Sequence, residues 1–320
     1  MYRVELGRDR EVSVQLPQGR FCHGSSSLTE CCHYRFDMAL IGVDELAARL
    51  ARSDANLVIC DVRFDLFDHD HGRKQHQAGH LPGAFYVDLH TDLAALDGTS
   101  PTGNGRHPLP TTMRFAEFIG ALGIGTDTFV VAYDDVGGAF ASRLWWMLRA
   151  IGHDHVAVLD GGYRAWVRTG YDLDRSTPHP VPTTHPAPAS WPGVVTADDV
   201  ARAVDEGRPL IDARAPERFG GHSEPLDARA GHIPGAINIH HASHLDDDGT
   251  HLPVADLRDH FAGIEAGQSP IAYCGSGVSA CHNLLVMCIL GIAEPGEAYL
   301  YPGSWSEWAA DPIRPIATDA

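Results

Sequence analysis

Short apolar runs punctuate the chain at intervals, with amphipathic stretches between them. Leu57-Val-Ile-Cys-Asp61, Val130-Val-Ala-Tyr133, Pro209-Leu-Ile-Asp-Ala-Arg214 and Ile271-Ala-Tyr273 are apolar at consecutive positions rather than alternating ones. A strand with one wet face alternates; a strand that is apolar throughout is covered on both faces, the habit of parallel sheets between helical layers. The intervening segments carry the longer period. Val43-Asp-Glu-Leu-Ala-Ala-Arg-Leu50 reads as a short amphipathic helix, and Thr196-Ala-Asp-Asp-Val-Ala-Arg-Ala-Val204 opens with a threonine suited to an N-cap and acids in the first turn. The pattern predicts an α/β fold.

The pattern also occurs twice. Each copy runs from a helix to a strand and then to a Gly-His-x-Pro-Gly-Ala segment, Gly79–Ala84 in one and Gly231–Ala236 in the other. A strand ending in Ala-Tyr, a loop and a helix follow, and each copy closes on a Gly-aromatic-Trp segment, Gly161–Trp166 and Gly303–Trp308. Glycine and proline set a tight turn in the Gly-His-x-Pro-Gly-Ala segments, so His80 and His232 are expected to bond nearby backbone. Between the copies, Asp174-Arg-Ser-Thr-Pro-His-Pro-Val-Pro-Thr-Thr-His-Pro-Ala-Pro-Ala189 is too rich in proline for helix or central strand and reads as an extended linker. The boundaries expected are a first domain over 38–172, a linker over 173–194 and a second domain over 195–320. Residues 1–37 show no apolar period and are expected to form a disordered extension. Their Cys22-His23 and Cys31-Cys32-His33 pairs match no common zinc spacing.

The chemistry concentrates at the end of the second copy, in Pro270-Ile-Ala-Tyr-Cys-Gly-Ser-Gly-Val-Ser-Ala-Cys281. A strand delivers Cys274 into a loop of small residues, and an apolar helix follows at once. With little side chain in the way, the backbone N–H groups of Gly275, Ser276, Gly277, Val278 and Ser279 are free to turn toward the sulfur. Such a ring at a helix N-terminus stabilises negative charge, and a thiolate is the nucleophilic form of cysteine. Cys281 and Cys288 fall on one face of the following helix and are expected to be core residues.

This loop resembles the active-site loop of the rhodanese/sulfurtransferase superfamily, and Cys274-Gly-Ser-Gly-Val-Ser-Ala280 is closest to the version found in 3-mercaptopyruvate sulfurtransferases. Thiosulfate-type rhodaneses usually have basic residues just after the cysteine, where this chain has Gly275 and Ser276. The resemblance covers nearly all of 38–320 and implies tandem rhodanese-like domains, each a small, mostly parallel sheet with helices on both faces. It implies transfer of sulfane sulfur from a small anionic donor to a thiophilic acceptor through a Cys274 persulfide, with no metal or organic cofactor. Thiosulfate:cyanide transfer is the alternative within enzymes, and a redox-sensing or partner-binding module the alternative outside them. Ser276 is implied as part of a proton relay. Arg218, in Asp212-Ala-Arg-Ala-Pro-Glu-Arg-Phe219, is implied as the ligand of the anionic donor, whereas Arg214 is expected to pair with Asp212 or backbone. The second arginine that often follows a Glu-Pro pair in such enzymes is missing, since Leu226 and Asp227 follow Glu224-Pro225. The first copy has Asp134 in place of the cysteine, so its loop is expected to be catalytically silent while its surface walls the pocket. His107 and Asp88 are the residues implied for that wall, with Asp92 or His90 as alternatives to Asp88.

Composition narrows the function classes. The 320-residue chain is 44% apolar and carries a net charge of −18, which opposes binding to nucleic acid. Seven cysteines form no disulfide framework, and a reactive thiol needs a reducing compartment, so a cytoplasmic location is expected. No run is long enough for a membrane helix. The resemblance implies as partners a small-molecule sulfur donor and a thiol, thioredoxin or cyanide acceptor. Phosphatase chemistry is disfavoured because Ala280 stands where related cysteine phosphatases place their phosphate-clamping arginine. His240, His241 and His244 follow a strand and are not expected to form a metal site, and Trp145-Trp146 belong to an apolar helix.

Overall fold

The computed structural model describes residues 39–319, together with the backbone of 4–6 and 10–12. In that first segment, β1 (Val4–Leu6) and β2 (Arg10–Val12) pair antiparallel, with Val4 opposite Val12. This short ribbon lies within the segment expected to form a disordered extension. The Cys22-His23 and Cys31-Cys32-His33 pairs lie outside the described residues.

The two copies form two parallel sheets. The first is ordered β3 (Leu40–Ile41), β7 (Val156–Leu159), β6 (Phe129–Tyr133), β4 (Leu57–Asp61) and β5 (Phe85–Tyr86). The second is ordered β11 (Tyr299–Leu300), β10 (Ile271–Tyr273), β8 (Leu210–Asp212) and β9 (Ala236–Asn238). A parallel bridge from Val194 to Leu300 stands where β3 stands in the first sheet, so the orders correspond strand for strand. Register corresponds too. Asp61 pairs with Tyr133 and Asp212 with Tyr273, the tyrosine hydroxyls receiving the N–H of Leu81 and of Ile233, each at 3.2 Å.

The sequence signals have local physical causes. Thr196 caps its helix as expected: its hydroxyl accepts the Asp199 N–H, and the Asp199 carboxylate returns to the Thr196 N–H. His80 and His232 serve the fold, their Nδ1 atoms bonding the carbonyls of His76 (2.8 Å) and Phe219 (2.9 Å). The proline-rich segment is extended but docked: Thr183 N–H donates to Gly120, and the Trp191 indole, buried in the core, donates to Pro110. One apolar core runs through both domains, because the helix Ala141–Ala150 packs against its counterpart Ala280–Ile289. That contact brings the two loops preceding these helices, 134–140 and 274–279, to the same interface. Trp145, Trp146, Cys281 and Cys288 are all in this core. Among the described residues no helix is long and apolar enough to cross a membrane.

Candidate active site

In a parallel sheet the carboxyl ends of two strands whose connections leave in opposite directions leave a crevice between them. In the second sheet those strands are β8 and β10, since β9 lies to one side of β8 and β10 to the other. Cys274 follows β10 directly, and Arg218 sits on the helix Pro216–Phe219 just after β8. The sequence therefore folds its cysteine and its candidate arginine to one place.

Cys274 is buried, and the Gly277 N–H donates to its sulfur at 3.1 Å. The loop is held open from outside: Trp305 and Ser306 N–H groups take the carbonyls of Cys274 and Gly275, at 2.9 and 3.0 Å. Gly277 must be glycine, with φ at +74° and the Pro302 carbonyl oxygen 2.7 Å from where a Cβ would sit. The matching loop of the first domain shows what such a cradle binds. Asp134, at the place of Cys274, accepts N–H groups from Val136 (2.9 Å), Gly138 (2.8 Å), Phe140 (2.7 Å) and Ala141 (2.9 Å). One loop holds a carboxylate and the other a sulfur.

The first domain completes the pocket. His107 is buried, and its Nδ1 lies 2.8 Å from Ser276 Oγ. Its Nε2 shares a hydrogen with His90 Nε2 at 3.0 Å. Burial, reinforced by His90, Arg143 and Arg106, pushes the His107 pKa down to about 3, so the ring is neutral at ordinary pH and either takes the serine proton or gives one. Of the alternatives at 88–92, His90 is the residue that meets His107. Asp88 does not reach it: its carboxylate accepts the N–H groups of His90 and Thr91 and so shapes its own turn. Asp92 likewise turns back to the Asp88 N–H.

Arg214 is tied to Asp212 at 2.6 Å and to the Gly231 carbonyl at 2.7 Å, as expected of a fold residue. Arg218 reaches the pocket but is not free: it pairs with Glu224 at 2.6 Å and Asp227 at 3.3 Å. Two arginines of the first domain escaped the sequence reading. Arg106 pairs with Asp227 at 2.8 Å and brings Nη2 to within 3.2 Å of a notional Gly275 Cβ. Arg143 is wholly buried and donates to the carbonyls of Gly277 (2.8 Å), His107 (3.1 Å) and Leu93 (3.3 Å), with no ion pair to a carboxylate among the described residues. The only signal for Arg106 was its place beside His107. Arg143 gave none, since it stands in an apolar helix.

Comparison with known proteins agrees with this geometry. The family model for the rhodanese-like domain matches residues 42–169 and again 196–311. A Pseudomonas aeruginosa protein named "probable 3-mercaptopyruvate sulfurtransferase" is 41% identical over 284 residues, spanning 87% of this chain and 98% of its own. The thiosulfate sulfurtransferase of Rattus norvegicus is 36% identical over 244 residues, 74% of this chain and 79% of that protein. The solved structure of 3-mercaptopyruvate sulfurtransferase from Leishmania major superposes with a TM-score of 0.73 at 31% identity, covering 85% of this chain and 74% of that one. Two matching sheets, one cysteine loop and one aspartate loop facing each other across a shared core make this chain a member of the rhodanese-like family, with two copies of its domain.

Proposed function

We propose that the chain is a sulfurtransferase that takes sulfur from 3-mercaptopyruvate onto Cys274 and passes it to a thiophilic acceptor. The Cys274 thiolate attacks the donor sulfur; the new S–S bond forms as the donor C–S bond breaks, and its electron pair leaves on carbon as the enolate of pyruvate. That enolate needs one proton. Ser276 supplies it, His107 Nδ1–H refills the serine and His90 Nε2–H refills His107, while part-exposed His90 takes a proton from solvent on Nδ1, balanced by loss of the donor's S–H proton as the persulfide becomes an anion. The loop amides of residues 275–279 and the buried Arg143 hold the negative charge on sulfur through both half-reactions. An acceptor nucleophile, such as cyanide, a small thiol or the thiol of thioredoxin, then attacks the outer sulfur and returns Cys274 to thiolate. The chemistry suits a reducing, cytoplasmic setting.

The contact that carries this choice of donor is His107 to Ser276, 2.8 Å, beside the cysteine. A carbon leaving group must be protonated, whereas the sulfite that leaves thiosulfate needs no proton. The test is a steady-state comparison of the two donors in wild type, Cys274→Ser and Ser276→Ala. Cys274→Ser should abolish both activities, because a serine alkoxide is not reached at neutral pH and holds no persulfide. Ser276→Ala should lower kcat with mercaptopyruvate by about 100-fold or more while sparing thiosulfate. An equal loss with both donors would remove the relay from the mechanism, and wild-type preference for thiosulfate would overturn the donor assignment.

A further inference from the structure

The outermost ring of the relay, His90, is shut in on its inner sides. His107 stacks beside it with ring centroids 5.0 Å apart and shares a hydrogen with its Nε2 at 3.0 Å. The buried Phe64 meets it nearly at right angles, at 4.7 Å. A third ring, that of His69, stands perpendicular to His90 with centroids 4.3 Å apart. His69 is exposed, His90 half-buried and His107 buried. Three imidazoles therefore run in series from solvent to Ser276 Oγ. Among the described residues the His69 ring makes no hydrogen bond or ion pair, so nothing fixes its nitrogens.

The backbone under His69, by contrast, is held. The Asp65 carboxylate accepts the N–H groups of Phe67 (2.7 Å) and Asp68 (3.0 Å), and that of Asp68 accepts the Asp70 N–H at 3.2 Å. The helix His71–Ala78 follows at once and is pressed against the end of β4, where a side chain at Gly72 would run into the Arg63 carbonyl. Arg73 of this helix pairs with Asp88 at 3.6 Å, and Asp88 accepts the His90 N–H at 2.9 Å. The supports of His69 and His90 are thus joined. The carboxylates of Asp88 and Asp92 are spent on N–H groups of their own turn, which leaves His69 as the titratable ring against His90 on the solvent side.

We infer that His69 is the proton shuttle of the donor half-reaction: it takes a proton from a buffer acid and gives one to His90 Nδ1 as His90 refills His107. The inference rests on the Ser276 relay proposed above. An exposed imidazole takes up and releases protons near neutral pH. The two rings are perpendicular, so transfer follows a turn of the His69 ring that brings a nitrogen to His90, a motion fast for an exposed side chain. His69 ends each turnover as it began, and the proton it carries inward is matched by the S–H proton that the donor releases.

The experiment uses the full-length protein in dilute buffer free of imidazole. Rapid mixing follows the first turnover, as pyruvate released from mercaptopyruvate and sulfite released from thiosulfate. His69→Ala and His69→Phe should slow pyruvate release by about fivefold or more and leave sulfite release within about twofold. His69→Phe keeps a ring against His90 but has no nitrogen, so it separates proton transfer from packing. Added imidazole should restore pyruvate release in His69→Ala, because a free ring then does the work of the missing one. Unslowed pyruvate release, equal slowing with both donors, or slowing that imidazole leaves unrelieved would each overturn the shuttle. Ser276→Ala is run beside these variants. If it slows pyruvate release and the His69 variants do not, the shuttle alone falls; if it too has no effect, the relay falls and takes the shuttle with it.

Discussion

Asp134 and Cys274 stand at the ends of corresponding strands, and one loop closes on a carboxylate where the other closes on a sulfur. The four N–H groups on Asp134 lower its pKa, but burial outweighs them and the net shift is upward. Removing that carboxylate would leave four donors unpaired in a dry loop. Asp134→Ala should therefore destabilise the protein by about 3 kcal/mol or more, read by urea denaturation. A loss under about 1 kcal/mol would mean that the loop relaxes or takes up water, and the cradle would then be less rigid than its geometry implies. The cysteine loop has a further thiol close by. Burial pushes the thiol of Cys281, one turn beyond the loop, up to about 12, so it stays protonated and donates weakly to the Gly277 carbonyl.

The helix Ala141–Ala150 does more than pack. Its first turn sends Arg143 through the interface to the Gly277 carbonyl, and the same guanidinium gathers the carbonyls of His107 and Leu93. A trans peptide carries its C=O and N–H on opposite sides, so capturing the Gly277 carbonyl sets which way the Val278 N–H faces. Burial draws the Arg143 pKa down, while the sulfurs of Cys281 and Cys274 oppose the shift; a guanidinium that begins so basic stays charged. One element thus ties the carbonyls of His107 and Gly277, one from each domain, to a single buried guanidinium. Arg143→Met keeps the bulk and removes the charge and the bonds. We expect kcat to fall at least about tenfold, with slower alkylation of Cys274 by iodoacetamide at neutral pH. Loss of stability with an unchanged alkylation rate would reduce Arg143 to a packing role.

Across the whole molecule the interface is sealed by histidines. His241, His244 and His282 of the second domain are packed with His251, which bonds Asp160 of the first domain at 2.8 Å, and His244 also meets His260 and Asn283. Burial, and the repulsion of neighbouring rings, holds His241 near about 4 and His244 near about 3, with His282 well below its ordinary 6.5. These rings are neutral when folded and free to protonate when unfolded. Their contribution is intact above pH 6.5 and is lost as the pH falls from there toward 4 and 3, at about 1.4 kcal/mol per ring per pH unit. The melting temperature should therefore drop steeply between pH 6.5 and 4. His282→Gln, which cannot protonate, should flatten that slope in calorimetry. An identical slope in the variant would assign the acid sensitivity to other groups.

The apolar runs and their doubling determined the two parallel sheets, because burial on both faces leaves its mark residue by residue along a strand. The small-residue loop after Ile271–Tyr273 likewise marked Cys274, since a cradle of amides needs side chains out of the way. Thr196 and the Gly-His-x-Pro-Gly-Ala turns were legible for a related reason: their partners lie within the same copy, a few residues off or on a neighbouring element. Arg106, Arg143 and the choice of His90 over Asp88 were decided only by the tertiary structure. Each is a single polar residue whose partner lies beyond its own element, in the other domain for the two arginines and on another loop for His90. No periodicity or spacing encodes such a pairing; it arises when two cores pack as one and set separate loops against the same sulfur.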